Sequence, residues 1–213
     1  MLYKSTLSIL MCILFGATCS AQDVITWSTF RNGSKVADTV ALGDYLPMKD
    51  DLVYVDAVIE LPNTSQKELF SRSKLAIQKT FTSNKLGTSN YDAEAGISSI
   101  NNFYEISDMT ALNAFASNPS TDHYYFNAIL SIIVKDGKYK IKMEVPNYSY
   151  GQSSRFKSLS DIQSQSMPMS NLANSRQNMK RQRMRVLKTL NDRMQATFNL
   201  IHKEMAKQLD TDF

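Results

Sequence analysis

Alternating apolar and polar positions divide the chain into strands and two amphipathic helices. Leu52 to Leu61 (LVYVDAVIEL) is β-branched and apolar and meets Pro62, so it reads as a strand with a hard stop. Ser65 with Glu68 three residues later forms a capping box, and Leu69, Phe70, Leu75, Ile77 and Phe81 follow on roughly one stripe, which predicts a helix to about Ser83. Leu86 to Tyr91 and Ile97 to Ile106 read as strands on either side of the turn Asp92-Ala93-Glu94-Ala95-Gly96. His123 to Val134 (HYYFNAILSIIV) is the most strand-like run. Asp136-Gly137 then turns it into a hairpin with Tyr139 to Val145, where Tyr139, Ile141, Met143 and Val145 alternate with Lys140, Lys142 and Glu144. Pro146-Asn147 is expected to close that strand.

The remaining segments are less regular. Residues 22–51 read as an N-terminal arm whose one short strand lies around Trp27, the single tryptophan. Residues 107–122 interrupt the strands, with Met109, Leu112 and Phe115 at helical spacing after the cap residue Ser107. Residues 148–175 are rich in Ser and Gln and read as a tether in which Phe156, Leu159 and Ile162 dock locally. Over 176–209 a basic amphipathic helix carries Leu187, Leu190, Met194, Phe198, Ile201, Met205 and Leu209 at steps of three and four. That spacing is an eleven-residue repeat, which drifts little along a straight helix and suits lying across a sheet. The whole therefore predicts an α+β fold, ordered strand, helix, four strands, helix, with both helices on one face of an antiparallel sheet.

Compartment and charge change this picture in two ways. Lys4 followed by the short apolar run Leu7 to Phe15 and the small residues before Gln22 resembles a secretory signal over residues 1–21, cleaved before Gln22. A lipid-anchored form cut before Cys19 is the rival, but Gly16 and Thr18 stand where that processing wants a Leu-like and a small residue. The expected location is the periplasm or cell envelope. Both cysteines, Cys12 and Cys19, fall in the removed segment, which excludes disulfides and thiol chemistry from the mature chain. Charge is polarised: residues 176–209 hold nine basic and two acidic residues. Arg176, Lys180, Arg181, Arg183, Arg185 and Lys188 all precede the first acid, Asp192, in the half of the helix where the dipole disfavours cations. They are expected to meet solvent or an anionic partner, either an anionic membrane surface or an acidic envelope protein. No nucleic acid is expected, because no aromatic interleaves them.

Catalytic chemistry finds little footing. His123 and His202 are far apart in the chain, with no H-E-x-x-H and no cysteine to complete a metal site. Gly96-Ile97-Ser98-Ser99 is not a nucleophile elbow, Gly151-Gln152-Ser153-Ser154 lies where nothing holds a base, and no glycine-rich phosphate loop occurs. Asp92 with Glu94, and Asp108 with Asp122, are read as turn or cap residues. Tyr124, Tyr125 and Phe126 alternate across a strand, with Tyr148 and Tyr150 nearby, as core packing at the sheet rim. No catalytic residue, metal or cofactor is expected.

The segment VIELPNTSQKELFSRSKLAIQKTF, the DAEAG turn and the strand pair around KDGKYK resemble the exported Bacteroidota domain-of-unknown-function family forty-four sixty-eight, which has a TATA-box-binding-protein-like fold. The similarity runs from about Val53 to Asn147 and is carried by Leu61-Pro62, Lys67-Glu68-Leu69-Phe70, Gly96 and Lys135-Asp136-Gly137-Lys138-Tyr139. Asn63, Ala76 with Ile77, and Ser98 with Ser99 depart from the family's usual residues. The resemblance implies the fold just read and an envelope location, and it implies no activity. The chain is accordingly expected to be a non-enzymatic interaction or binding module. The alternative is a small apolar-ligand binding protein with a cavity between helix and sheet.

Overall fold

The computed structural model describes residues 25, 27, 42–50, 52–82, 87–109, 121–152, 159–173 and 180–208. Its elements in chain order are β1 (Met48–Lys49), β2 (Leu52–Glu60), α1 (Gln66–Thr80), β3 (Thr88–Asp92), β4 (Ile97–Met109), β5 (Thr121–Lys135), β6 (Lys138–Gln152), α2 (Leu159–Ser164), β7 (Met167–Pro168), α3 (Ser170–Ala173) and α4 (Lys180–Ala206). The strands form one antiparallel sheet in the order β1-β2-β6-β5-β4-β3, and β7 pairs with β6. This is the α+β architecture that the alternation predicts. The signal segment, Cys19 and most of the arm lie outside the described residues. Of the short strand expected around Trp27, only Ile25 and Trp27 are described, and neither is in a strand.

One face of the sheet is sealed. Ile100, Tyr104 and Ile106 of β4, Tyr124, Phe126, Ala128, Leu130, Ile132 and Val134 of β5, and Tyr139, Ile141, Met143 and Val145 of β6 are all buried. They meet α1 and α4, which also pack on each other. On α4 the stripe Leu187, Leu190, Met194, Phe198, Ile201, Met205 has no exposed surface, so the long helix is part of the core; Leu209 lies outside the described residues. Helix α1 starts as its sequence dictates. The Ser65 hydroxyl accepts from the Glu68 backbone N–H at 3.2 Å, while the Glu68 carboxylate turns to Arg72.

Three segments differ from the sequence reading, each for a physical reason. Ser107 does not cap a helix: it continues β4, pairing with His123, and Asp108 pairs with Asp122. Residues 110–120, with Leu112 and Phe115, lie outside the described residues. Pro146 does not end β6, because the β5–β6 register shifts between Asn127 and Ile129, and at such a bulge a missing N–H costs no ladder bond. Residues 148–175 are not a plain tether. They finish β6 and add α2, β7 and α3, anchored by buried Tyr148, Ile162, Met169 and Leu172, and the Ser149 hydroxyl donates to the Ile162 carbonyl at 2.5 Å. The serine-rich composition hid these few, widely spaced anchors. Phe156 lies outside the described residues.

Candidate functional site

The cationic N-terminal half of α4 is the first place the sequence directs attention. Arg183 is half-buried and donates from Nη1 to the Leu172 carbonyl at 2.7 Å, satisfying a carbonyl at the C-terminal end of α3. Arg185 donates to Asp108 Oδ2 at 2.9 Å. Beside them Gln182 Nε2 donates to the buried Asp122 Oδ2 at 3.0 Å. The expectation that these cations meet only solvent or a partner is corrected for Arg183 and Arg185, which hold α4 to α3 and β4. Lys188 is exposed, Arg176 lies outside the described residues, and so do the side chains of Lys180 and Arg181, whose backbone opens α4. The unfavourable dipole position is thus matched by tertiary contacts that no local rule anticipates.

Under this end of α4 lies the aromatic group. Tyr124 and Tyr150 have ring centroids 4.9 Å apart, Phe126 and Tyr148 5.9 Å, and burial with the Asp122 carboxylate pushes the Tyr150 phenol up to about 12. Tyr125, on the opposite face as the alternation requires, is pushed up to about 12 by burial and by Glu105. These tyrosines stay neutral at physiological pH and act as packing.

Histidine 123 shares the Tyr125 face. His123 Nδ1 lies 2.8 Å from Glu105 Oε1 and 3.1 Å from Ser107 Oγ, and Tyr125 OH donates to the same carboxylate at 3.3 Å. A hydrolytic triad needs the acid on one ring nitrogen and the hydroxyl on the other. Here both contacts fall on one nitrogen, so the arrangement cannot pass a proton from Ser107 to the ring while Glu105 orients it. Among the described residues no group of three or more His, Cys, Asp and Glu could hold a metal ion. Asp92 Oδ1 accepts from the Ala95 N–H at 2.9 Å, the turn role expected of it.

His202 is buried on α4, with Nδ1 2.7 Å from the Tyr139 hydroxyl. Burial lowers its pKa below the usual value near 6.5. Protons therefore bind the unfolded chain first, and stability should fall as pH drops below about 6.5 and level off below the lowered native pKa. Urea midpoints at pH 7.5 and 5.5 should differ less in His202→Gln than in the wild type; equal pH dependence in the two proteins would remove His202 as the cause.

Two further clefts are formed by the described residues. On the open face of the sheet, near the Asp136-Gly137 turn, a groove of about 320 Å³ is lined by Val58, Ile133, Lys135, Lys138, Tyr139 and Lys140. At the margin of the helix layer, a cleft of about 310 Å³ is lined by Thr80, Phe81, Asn102, Phe103, Tyr104, Arg193, Ala196, Thr197 and Leu200. Sequence reasoning missed both. The groove joins the β5–β6 hairpin to β2, and the cleft joins α1, β4 and α4, segments far apart along the chain; the one local signal was an apolar residue, Val58 or Leu200, at an otherwise polar position.

Two long helices on the sealed face of one antiparallel sheet, with the other face left open, define an α+β protein. Residues 56–149 match the model of the domain of unknown function (DUF4468) with TBP-like fold. The match agrees in extent with the resemblance noted from the sequence. Among solved structures, a DUF4468 family protein from Bacteroides ovatus ATCC 8483 is 14% identical with a TM-score of 0.49, over 83% of this chain and 96% of that one. A TBP-like protein from Parabacteroides distasonis ATCC 8503 is 15% identical with a TM-score of 0.39, over 73% of this chain and 96% of that one. No curated protein matches.

Proposed function

We propose that the chain is a non-enzymatic, exported envelope protein that acts as an interaction module through the open face of its sheet. The observation that carries this reading is Val58. It sits near the C-terminal end of β2, is 60% exposed, and borders an apolar groove with Ile133 inside a rim of Lys135, Lys138 and Lys140. Isolated exposed valines are ordinary, but one at the floor of a groove is where a partner's side chain would remove apolar surface from water. Lys140 of the rim pairs with Asp56, and next to it on the same face Lys142 pairs with Glu144 at 2.9 Å, so both charge signs border the groove. A photo-reactive residue at position 58 should crosslink a discrete partner in cells, whereas one at Leu75, exposed on α1, should not. Equal labelling from both positions, or none from either, would count against the module.

Export is part of the same proposal. Mature protein isolated from its source should begin at Gln22 and carry no palmitate label. An acylated form beginning at Cys19 would replace this with the lipid-anchored route.

A second reading has its own observation. The 310 Å³ cleft lies between α4, the end of α1 and β4, at the margin of the helix and sheet layers, where the alternative of a small apolar-ligand binder would place its ligand. Its volume is at the small end of ligand pockets.

A further inference from the structure

The marginal cleft holds two groups whose chemistry is unfinished. Thr80 Oγ1 is buried there with no hydrogen-bond partner, an arrangement that native proteins usually avoid. Arg193, on the α4 wall, donates from Nη1 to the Glu105 carbonyl, and no carboxylate among the described residues pairs with its charge. Glu105 itself directs its carboxylate to His123 and Tyr125 instead. A guanidinium carries five N–H donors in a planar fork suited to a carboxylate, so most of this one's capacity is unused within the protein. The remaining walls are apolar or already satisfied. Leu200 is 50% exposed at the cleft, Phe81 and Phe103 flank it, and Tyr104 OH donates to Thr197 Oγ1 at 2.9 Å.

An open cleft of mixed lining, apolar along Phe81, Phe103 and Leu200, with one cation that meets no carboxylate among the described residues and one buried hydroxyl without a partner, matches a ligand with one anionic head and a short apolar body. We propose that this cleft binds a small amphiphilic carboxylate, its head on Arg193 and its hydrocarbon between Leu200, Phe81 and Phe103, with Thr80 Oγ1 donating to an oxygen of the head. The proposal rests on the second reading above and adds to it the charge of the ligand. At about 30 Å³ for each water-sized share of volume, the cleft has room for roughly ten non-hydrogen atoms. Octanoate has that size, and octan-1-ol has the same chain without the charge.

Titration of each probe into isotopically labelled full-length mature protein tests both layers. Octanoate should shift the amide signals of Thr80, Ala196 and Leu200 and bind about tenfold more tightly than octanol, the scale of one charge-assisted contact. Arg193→Gln should erase that preference while leaving octanol binding unchanged. Arg193→Lys should keep part of it, and Ala196→Trp should block both probes. Circular dichroism melts of the three variants establish that they are folded. If octanol binds as well as octanoate, or Arg193→Gln leaves the ratio intact, the anionic assignment falls while the apolar-ligand reading survives. If neither probe shifts these residues in folded wild-type protein, both fall.

Discussion

Replacing Phe198 by alanine is expected to lower the free energy of unfolding by about 3 to 5 kcal/mol, read as a drop in the urea midpoint with an unchanged slope. Phe198 has no exposed surface, and it is the central residue of the stripe that α4 lays against α1 and β4. Trp27 meets it edge to face with ring centroids 5.3 Å apart, and Trp27 Nε1 donates to Asn191 Oδ1 at 2.7 Å. Truncation therefore opens a cavity lined by side chains from several elements. None of them can close it alone, because Tyr104 and Tyr139 are each tied to α4 through Thr197 and His202. Arg72 adds a lock at the far end, donating from Nη1 to the Met205 carbonyl at 3.0 Å. Deleting residues 176–213 should for the same reason abolish cooperative unfolding. A deletion that melted like the full chain would mean that α4 folds as an independent appendage.

The strands were legible because one of their faces is sealed, which requires an apolar residue at every second position of β5 from Tyr124 to Val134 and of β6 from Tyr139 to Val145. The helices were legible because each buries a single stripe. What misled was chemistry with two structural uses. Ser107 and Asp108 suit a helix cap, yet they also suit the wet rim of a strand, and the pairing with His123 and Asp122 decided between these. Pro146 looks like a strand terminator until a bulge provides a place where its missing N–H does not matter. In the serine-rich stretch, Ile162, Met169 and Leu172 were too widely spaced to signal an element, but each is a buried anchor. The cations of α4 broke a local rule because Arg183 and Arg185 answer to α3 and β4, contacts that helix periodicity does not encode. The clefts were less legible still. A cleft is the space between elements, and Thr80, Asn102 and Arg193 share one only after the sheet and helices have packed.

The residues that carried the family resemblance come together at one corner, and this leads to the second large effect. The Leu61 N–H donates to the Gly137 carbonyl at 2.8 Å, the Gly137 N–H to the Thr64 carbonyl at 2.9 Å, and the Gln66 N–H to Asp136 Oδ1 at 2.7 Å. The β5–β6 turn thus satisfies backbone groups at the start of α1 and fixes how that helix enters the sheet. Gly96 closes the corner. Its φ is +66°, and its carbonyl accepts from the Val134 N–H at 2.9 Å. An added Cβ would lie 2.7 Å from Gln66 Nε2 and 2.8 Å from the Val134 carbonyl oxygen. Gln66 can swing aside, but the Val134 carbonyl is part of the central strand and cannot. Gly96→Ala therefore combines a left-handed backbone that L-residues resist with a backbone clash, and it should cost about 2 to 4 kcal/mol. Gly43→Ala, where the new carbon would make only an ordinary 3.6 Å contact with Met48, serves as the control and should change the urea midpoint little. Equal midpoints for the two variants would show that the corner relaxes around Gly96 and does not pin α1 to the hairpin.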